Sequence, residues 1–426
     1  MPLFDAATLD GWLAHLESLH PNTIDMGLAR VGKVRDAMGL FPVSPVITVG
    51  GTNGKGSVCA MLSAIFKAAG YRVGTYTSPH LLHYNERVMI DLQPASDEAL
   101  LAGFRAVEAA RGDTALTYFE FGTLAAMRQF VDAGVDVAVL EIGLGGRLDA
   151  VNVFEPDAAA VVSVALDHEA WLGNTREAVG FEKAGIYRAG KVAVCADPEP
   201  PHSLLDHAKT IGADLRLIGC DFGFSRQAEE PVWSWWGRGG VEFGGLPMPA
   251  LQGSYQLGNA ATALALLDAV KDSLPVNAEA VRQGLQNVRW PARFQVLPGH
   301  PAVILDVGHN PHAARVLRAN LEAMKGHART LAVFGMMQDK DIAGVIGLLA
   351  DCVDSWYVAA PALPRAASAA VLTETIGSLA PHAAVECHES IAQAWYAACK
   401  EAGEDDRILA FGSFYTVAEV MAASEC

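Results

Sequence analysis

Basic residues are in short supply in this 426-residue sequence, and the shortage excludes several kinds of partner. Lys and Arg number 31 against 48 Asp and Glu, which gives a formal net charge of −17. A broad surface for nucleic acid or for an anionic membrane needs excess positive charge, so we expect no nucleic-acid partner and no membrane partner. Any phosphate site must therefore be local.

Cysteine and long apolar runs are scarce as well. The seven cysteines are scattered, odd in number and free of C-x-x-C pairs, so neither a disulfide framework nor a thiolate zinc site is expected. No stretch approaches the roughly 18 apolar residues that a membrane helix needs, and the first 20 residues do not have the pattern of a secretory leader. The sequence predicts a soluble, cytoplasmic protein.

What the sequence does contain is the composition of a globular α/β protein. Half of the residues (51%) are apolar and 19% are charged, and at about 150 residues per domain the length allows two or three domains. Short β-branched runs alternate with helical apolar patterns from residue 45 onward, which predicts β-α-β units and a mainly parallel sheet. The predicted strands are 46–49, 73–76, 137–142, 159–164, 192–195, 302–305, 331–334, 355–358 and 408–410.

Two other segments shape the predicted organisation. The stretch 227–249 is rich in Trp, Gly and Pro, which predicts a small β-ribbon or a surface excursion without an assigned function. Pro291 stands between Arg289 and Arg293, where the second alternation begins, and we interpret this as a hinge. The predicted domains are 1–290 and 296–426, joined by the hinge 291–295.

A glycine-rich turn follows the first strand and precedes a helix. In this context backbone N–H groups and a helix N-terminus cradle phosphates, while a lysine reaches the outer ones. The turn departs from the strict P-loop pattern, because Val49 replaces the first glycine and Gly56 follows the lysine. A flexible turn with a surface lysine is the alternative. The candidate phosphate-binding residues are Gly51, Thr52, Asn53, Gly54, Lys55, Gly56 and Ser57.

Polar residues also follow the later strands. Glu141 ends an apolar strand, and His168 follows the next one, so both should lie at the carboxyl edge of the sheet, where α/β folds bind ligands. Such a pair can share a cation with phosphate oxygens, although Mg²⁺ prefers oxygen ligands. Either residue could equally be a hydrogen-bonding loop group.

Two further clusters lie near strand ends. Lys183 sits in an apolar, glycine-flanked segment, and from chemistry alone a snorkelling or salt-bridged lysine is the simpler interpretation. The segment 306–312 follows a strand of the second domain and contains Asp306 and His309. It could be a helix cap and turn, or it could close over a nucleotide together with Arg293.

Taken together and in order, these segments resemble the folylpolyglutamate synthase family, most closely its bacterial bifunctional members, which are also dihydrofolate synthases. The resemblance covers nearly the whole chain, and the family's own phosphate loop has the same late serine. The stretches that carry it are 51–57, 77–81, 86–88, 117–123, 143–149, 166–168, 182–186, 306–311 and 412–414.

The resemblance implies a Mur-ligase-like architecture: a P-loop ATP-binding domain with a mainly parallel sheet, a smaller Rossmann-like C-terminal domain, and an active site between them. It implies one magnesium ion at Ser57, Ser78 and Glu141, and a second at His168 that shares Glu141. Lys183 would be carbamylated. The residues implied to bind ATP from the hinge and C-terminal sides are Asn259, Arg293, Asp306 and His309. Tyr255 replaces a histidine common in the family and is given no role.

The resemblance also implies a pterin site of the bifunctional kind. An N-terminal loop, 24–28, would contribute to it, and an aromatic face together with a buried carboxylate suits a pterin ring. Phe119 could equally be a core residue. The implied substrate-binding residues are Asp25, Gly27, Leu28, Thr117, Phe119, Asp149 and Ala150.

The implied reaction is ATP-dependent addition of L-glutamate to dihydropteroate and to tetrahydrofolates through an acyl phosphate, with Lys55, Lys183, His168 and Arg293 as catalytic residues. The family is commonly monomeric, so a monomer is expected. Three alternatives stay open. They are a folylpolyglutamate synthase without dihydrofolate synthase activity, a peptidoglycan-type Mur ligase, and a nucleotide-dependent switch that uses only the P-loop.

Overall fold

The computed structural model describes residues 4–226 and 231–424, and the chain divides into two compact units. The first unit comprises Met1–Ala250 and Leu257–Val288, and the second comprises Leu251–Gln256 and Arg289–Cys426. Each unit has a mainly parallel sheet of its own. The two units are described separately.

The first unit is built on an eight-stranded sheet that is parallel except at one edge. Its strand order is β4-β3-β2-β5-β1-β6-β7-β8, and the central strands are buried on both faces, as expected of a parallel sheet covered by helices. The strands are β1 (Val46–Gly50), β2 (Val73–Tyr76), β3 (Val88–Ile90), β4 (Gln93–Pro94), β5 (Val137–Glu141), β6 (Ala158–Val161), β7 (Val192–Cys195) and β8 (Asp214–Leu217).

Ten helices belong to the described part of this unit, and side chains cap several of them. Thr117, for example, caps its helix by accepting the Glu120 N–H, while the Glu120 carboxylate accepts the Thr117 N–H. The helices are α1 (Leu9–Ser18), α2 (Ala29–Ala37), α3 (Lys55–Ala68), α4 (Asp97–Arg111), α5 (Tyr118–Ala133), α6 (Glu169–Leu172), α7 (Arg176–Ala184), α8 (His202–Ile211), α9 (Gln256–Ala269) and α10 (Ala278–Asn287).

The predicted strand 159–164 is too long by three residues. β6 ends at Val161, because the following backbone turns to the phosphate loop: Thr52 N–H donates to the Ser163 carbonyl, and Ala165 N–H donates to the Thr52 hydroxyl. Hydrogen bonds to a loop of distant sequence therefore replace the sheet ladder here.

The Trp-rich stretch supplies two strands of a three-stranded antiparallel ribbon, and the third strand lies just before it, so the predicted β-ribbon is present. It consists of β9 (Gly223–Ser225), β10 (Val232–Trp236) and β11 (Glu242–Pro247). It is not a surface excursion, because Trp233 and Trp235 are fully buried and the Trp235 indole donates to the Ala261 carbonyl in α9. Residues 227–230 of the stretch lie outside the described residues.

The second unit contains a six-stranded sheet with the order β12-β13-β17-β14-β15-β16, parallel except for β12. Its apolar strands pack against five helices around Phe334, Trp356 and Phe411. The elements are β12 (Gln295–Leu297), β13 (Ala302–Asp306), α11 (Pro311–Ala323), β14 (Thr330–Phe334), α12 (Ile342–Leu349), β15 (Ser355–Val358), α13 (Ala369–Leu379), β16 (Ala384–Cys387), α14 (Ile391–Glu401), β17 (Arg407–Phe411) and α15 (Phe414–Ser424).

Within the described ranges, no helix is both long and apolar enough to cross a membrane. The six cysteines that fall in those ranges are all unbridged.

Candidate active site

The phosphate loop joins β1 to α3 and depends on glycine. Gly54 has a φ of 89°, and a Cβ there would lie 2.7 Å from the Asn259 Oδ1, so only glycine fits. Lys55 begins α3 and folds back over the loop, donating to the Gly51 carbonyl at 3.0 Å and the Thr52 carbonyl at 3.2 Å. The N–H groups of the helix N-terminus and one lysine thus converge on a loop suited to phosphate.

Adjacent strand ends place further oxygen ligands beside this loop. β5 and β6 flank β1, and β2 lies beyond β5, so Glu141 and Ser78 both lie at the carboxyl edge next to the phosphate loop. The Ser78 N–H donates to the Glu141 carboxylate at 3.1 Å. Glu141 and Ser57 are almost fully buried. This edge is a topological switch point, where open α/β sheets bind ligands.

Lys183 lies in the last turn of α7 and is 4% exposed. Burial lowers the pKa of its amine to about 7; the Lys55 charge adds to the effect, and Asp167 and Asp149 oppose it. The amine is thus substantially neutral near neutral pH, and Lys55, Asp149 and Asp167 are all near enough to act on it. A snorkelling lysine would keep its amine in water, so that interpretation is wrong.

His168 caps α6 with a φ of 53°, and its N–H donates to the Asp167 carboxylate at 2.9 Å. Across the described residues, no three His, Cys, Asp or Glu side chains cluster as a metal site. Ser57, Ser78 and Glu141 offer oxygen donors of the kind that Mg²⁺ and Mn²⁺ prefer.

The 143–149 loop connects this edge to the predicted pterin residues. Asp149 is buried and accepts the Leu144 N–H at 2.8 Å and the Val151 N–H at 2.9 Å. Burial raises the pKa of Asp149 to about 7, although these backbone hydrogen bonds act against the rise. Ala150 follows it and is also buried. The Phe119 ring packs against Gly143 and lies 5.9 Å from the Tyr76 ring.

The N-terminal loop 24–28 lies against the same region. Gly27 N–H donates to the Leu148 carbonyl at 3.2 Å, and Leu28 precedes α2. Arg30 holds the loop in place, because its guanidinium pairs with Asp25 at 3.0 Å and with Glu120 at 3.2 Å. Sequence analysis missed Arg30, since nothing in the local sequence links it to a carboxylate 90 residues away.

Asn152 was missed as well, and it fixes the position of α7. Its amide donates to the carbonyls of Arg147 and Gly185, both at 3.0 Å, and its carbonyl accepts from Arg188. Arg147 adds an ion pair to Glu182 at 2.7 Å. These contacts join the 143–149 loop to the turn that carries Lys183.

The second unit has its own polar cluster at the carboxyl edge of its sheet. The Asp306 carboxylate accepts the Phe294 N–H at 2.8 Å and the Gly308 N–H at 2.7 Å, and burial raises its pKa. The Arg293 guanidinium lies 5.1 Å from the centre of the Phe414 ring, and the His309 ring lies 6.3 Å from it. Arg293, Asp306 and His309 are thus gathered within one unit, whereas Asn259 belongs to the first unit.

Two models of Mur ligase domains match the chain. The model of the Mur ligase middle domain matches residues 49–221, and that of the Mur ligase glutamate ligase domain matches residues 292–414. The chain is 45% identical to the dihydrofolate synthase/folylpolyglutamate synthase of Escherichia coli (strain K12) over 98% of its own length and 95% of the relative's. Its identity to the same enzyme of Haemophilus influenzae is 39%, over 100% and 99% of the two chains.

Solved structures of related enzymes also match this chain over nearly its full length. An Escherichia coli enzyme in complex with DHPP and ADP matches with a TM-score of 0.92 and 45% identity over 99% of this chain and 98% of that one. A bifunctional enzyme with Mn, AMPPNP and L-glutamate bound matches with a TM-score of 0.91 over 99% of both chains. The fold and the phosphate site define a Mur ligase. Within that class, the chain belongs to the dihydrofolate synthase/folylpolyglutamate synthase family.

Proposed function

We propose that this protein is an ATP-dependent ligase that adds L-glutamate to dihydropteroate and to the glutamyl tail of tetrahydrofolates. The observation that carries the proposal is the meeting of a phosphate loop, Glu141, Ser78 and a buried lysine at one sheet edge, in a chain similar over its full length to bifunctional relatives. The structural relatives contain adenine nucleotides, Mn and L-glutamate, which are ligands that such a reaction needs.

The chemistry begins with a carboxylate, which is a poor electrophile. Transfer of the γ-phosphoryl group from ATP to the acceptor carboxylate makes an acyl phosphate and releases ADP. The amine of L-glutamate then attacks the acyl carbon, the amide bond forms, and phosphate leaves. Lys55 and the N-terminus of α3 stabilise negative charge on the transferring group, and Arg293 contributes to the same task. No covalent enzyme nucleophile is required.

A divalent metal fits the residues present. Ser57, Ser78 and Glu141 offer hydroxyl and carboxylate oxygens beside the phosphate loop, and we assign the first magnesium ion to them. The second ion is assigned to His168, with Glu141 shared. When bound, these ions supply charge neutralisation at the phosphate oxygens.

Lys183 is proposed to carry a carbamate. Carbon dioxide adds only to a neutral amine, and a pKa of about 7 makes much of the Lys183 amine neutral at physiological pH. The addition releases a proton and converts a cation into an anionic oxygen ligand. With ¹³C-bicarbonate, the wild type should show a carbamate NMR signal that Lys183→Met lacks. Absence of the signal in the wild type with nucleotide and metal present would reject the carbamate.

The pterin is assigned to the region bounded by the 24–28 loop, Phe119 and Asp149. Asp25, Gly27 and Leu28 contribute the loop, Thr117 and Phe119 come from the start of α5, and Ala150 follows Asp149. Support comes from the contacts that join these segments, among them the hydrogen bond from Gly27 to Leu148.

The nucleotide is proposed to contact Gly51, Thr52, Asn53, Gly54, Gly56 and Asn259 of the first unit, together with Arg293, Asp306 and His309 of the second. The packing of Asn259 against Gly54 supports its place at the phosphate loop. Substitution of Asn259 or His309 by Ala should raise KM for ATP more than KM for the acceptor. We further propose that the protein is a cytoplasmic monomer, which sedimentation and cell fractionation would test.

One steady-state experiment separates the candidate functions. Phosphate release from ATP is followed with L-glutamate and either dihydropteroate or tetrahydrofolate as the acceptor. Activity with both acceptors supports the proposal, and activity with tetrahydrofolate alone reduces the protein to a folylpolyglutamate synthase. Turnover that needs neither acceptor would instead favour a nucleotide switch, and a requirement for a peptidoglycan precursor would favour a different Mur ligase.

A further inference from the structure

Arg87 is a cation held between two tyrosine rings beside the proposed acceptor pocket. It ends the short helical turn Tyr84–Arg87, immediately before β3. Its guanidinium carbon lies 5.5 Å from the ring centres of both Tyr84 and Tyr118. Contacts of this kind use the face of a guanidinium, so its N–H groups can still meet other partners.

The Nε–H of Arg87 is already used. It donates to the His80 Nδ1 at 2.8 Å, which fixes the Arg87 side chain on one side. The neighbouring acid, Glu86, is occupied elsewhere, because its carboxylate accepts the N–H groups of Leu81, Leu82 and His83. The turn therefore orders the Arg87 side chain without supplying it with a counter-charge.

In the part of the chain that the structure describes, no carboxylate lies within 4 Å of the Arg87 guanidinium. A half-buried arginine normally acquires an anionic partner, because the loss of water around the charge has to be offset. In a protein with a net charge of −17, a partly buried arginine without an acid beside it is conspicuous. We therefore infer that the anionic partner of Arg87 is a bound ligand.

The position of Arg87 indicates which ligand that is. Tyr118 directly follows Thr117. The Tyr76 hydroxyl lies within hydrogen-bonding reach of one Arg87 N–H, and Asp149 is close enough for its charge to act on the same hydroxyl. The Tyr76 ring also lies beside that of Phe119. Arg87 thus borders the residues assigned to the pterin acceptor.

We propose that Arg87 binds a carboxylate of the pterin acceptor through the outer N–H groups of its guanidinium. The inference rests on the proposed function, which supplies an acceptor that bears a carboxylate. The planar fork of arginine matches the two oxygens of a carboxylate, and such charge-assisted hydrogen bonds are strong. The contact orients the acceptor before ATP and metal complete the site.

The test compares two ligands that differ only in this group. Binding of dihydropteroate and of the same molecule without its carboxyl group is measured by fluorescence titration, in the absence of ATP and metal. The wild type should prefer the carboxylate by about 10- to 100-fold. Arg87→Gln should lose that preference and bind the decarboxylated compound as the wild type does. Arg87→Lys, which keeps the charge but not the fork, should retain part of it.

His80→Ala is the matched control, since it removes the hydrogen bond to Nε and leaves the guanidinium in the protein. It should keep most of the preference for the carboxylate. The inference would be overturned if the Arg87→Gln variant still preferred the ligand with the carboxylate. It would also be overturned if this variant lost affinity equally for both ligands, because that result would indicate a structural role for Arg87. A wild type that binds neither compound would reject the proposed pterin site and the inference with it.

Discussion

Lys183 and Asp149 are a buried base and a buried acid near the same sheet edge, and burial moves their pKa values toward each other. The pKa of the Lys183 amine falls to about 7, and the pKa of the Asp149 carboxyl rises to about 7. Each is displaced toward its neutral form, because a low-dielectric environment disfavours either charge. Both groups can therefore change protonation near physiological pH, where the ligase reaction would run.

Replacing Lys183 by Met should stabilise the ligand-free protein, and the gain should depend on pH. In the folded protein the pKa of Lys183 is about 7, below the ordinary value of 10.5. The free-energy cost of burying the charged amine is therefore largest below pH 7. As pH rises toward 10.5 the folded state loses the proton first, and wild-type stability recovers by about 1.4 kcal/mol per pH unit in that window. Urea unfolding of carbon dioxide-free protein at pH 6.5 and pH 9.5 should show a larger gain at pH 6.5.

Lys400→Met is the control for that experiment, because Lys400 is exposed and its replacement should shift stability little at either pH. A gain for Lys183→Met that is the same at both pH values would mean that the Lys183 amine is not desolvated in the folded protein.

Asp149→Ala should separate the two activities. We expect it to slow glutamate addition to dihydropteroate by about 10- to 150-fold, because that is the usual effect of losing a hydrogen bond to a charged group. Glutamate addition to tetrahydrofolate should be slowed less. Asp149→Asn is the companion variant, since it keeps an acceptor for one of the two loop N–H groups. If both activities fall equally in Asp149→Asn, the acceptors share one pterin pocket.

At the scale of elements, the close contact between the 143–149 loop and α7 sets the position of Lys183 relative to Asp149. A Cβ at Gly146 would lie 2.7 Å from the Glu182 carbonyl oxygen and 2.9 Å from that of Lys183, so Gly146→Ala must push the loop and the helix apart. We expect thermal unfolding to show a loss of about 1–3 kcal/mol, together with a large loss of turnover.

Gly347→Ala in α12 offers the opposite case, because a Cβ there meets nothing within 4 Å. It should raise stability by about 0.5–1 kcal/mol without affecting turnover, since alanine favours a helix more than glycine does. Normal activity in Gly146→Ala would show that the spacing between the loop and α7 does not control the site.

Most elements could be predicted from the sequence, and the misses have local causes. The strand 46–49 consists of β-branched residues, and 331–334 consists of apolar residues. Both are fully buried, so their pattern is clear. β16 was missed because it is largely exposed and contains Ala and Glu, which are depleted in strands. β3 and β4 are too short to produce a pattern.

For the whole molecule, nucleotide binding should be coupled to stability through Lys55. A ligand that binds only the folded state stabilises it by about 2.7 kcal/mol at one hundred times its Kd. AMPPNP with Mg²⁺ should therefore raise the Tm of the wild type. Lys55→Ala should lose most of this increase and nearly all turnover, while its ligand-free Tm stays close to that of the wild type, because Lys55 is only partly buried.

Lys67→Ala, in the last turn of the same helix, is the matched control and should keep both the Tm increase and the activity. Near-normal phosphate release by Lys55→Ala would remove the lysine from the proposed catalytic residues.

The sequence by itself determined the α/β class, the positions of the principal strands and the phosphate loop. These features depend on residues close together in the chain: β-branched runs, and glycines placed between a strand and a helix. The resemblance of several ordered stretches was enough to indicate the family, which the comparisons confirmed.

Only the tertiary structure decided how the site is assembled. The strand order makes β2 and β5 neighbours, so that Ser78 meets Glu141, and α9 brings Asn259 against Gly54 across 205 positions of sequence. The lowered pKa of Lys183 and the packing of Arg87 against the Tyr118 ring likewise arise from contacts between distant segments. Burial and electrostatic interaction depend on distance in space, which local sequence patterns do not specify.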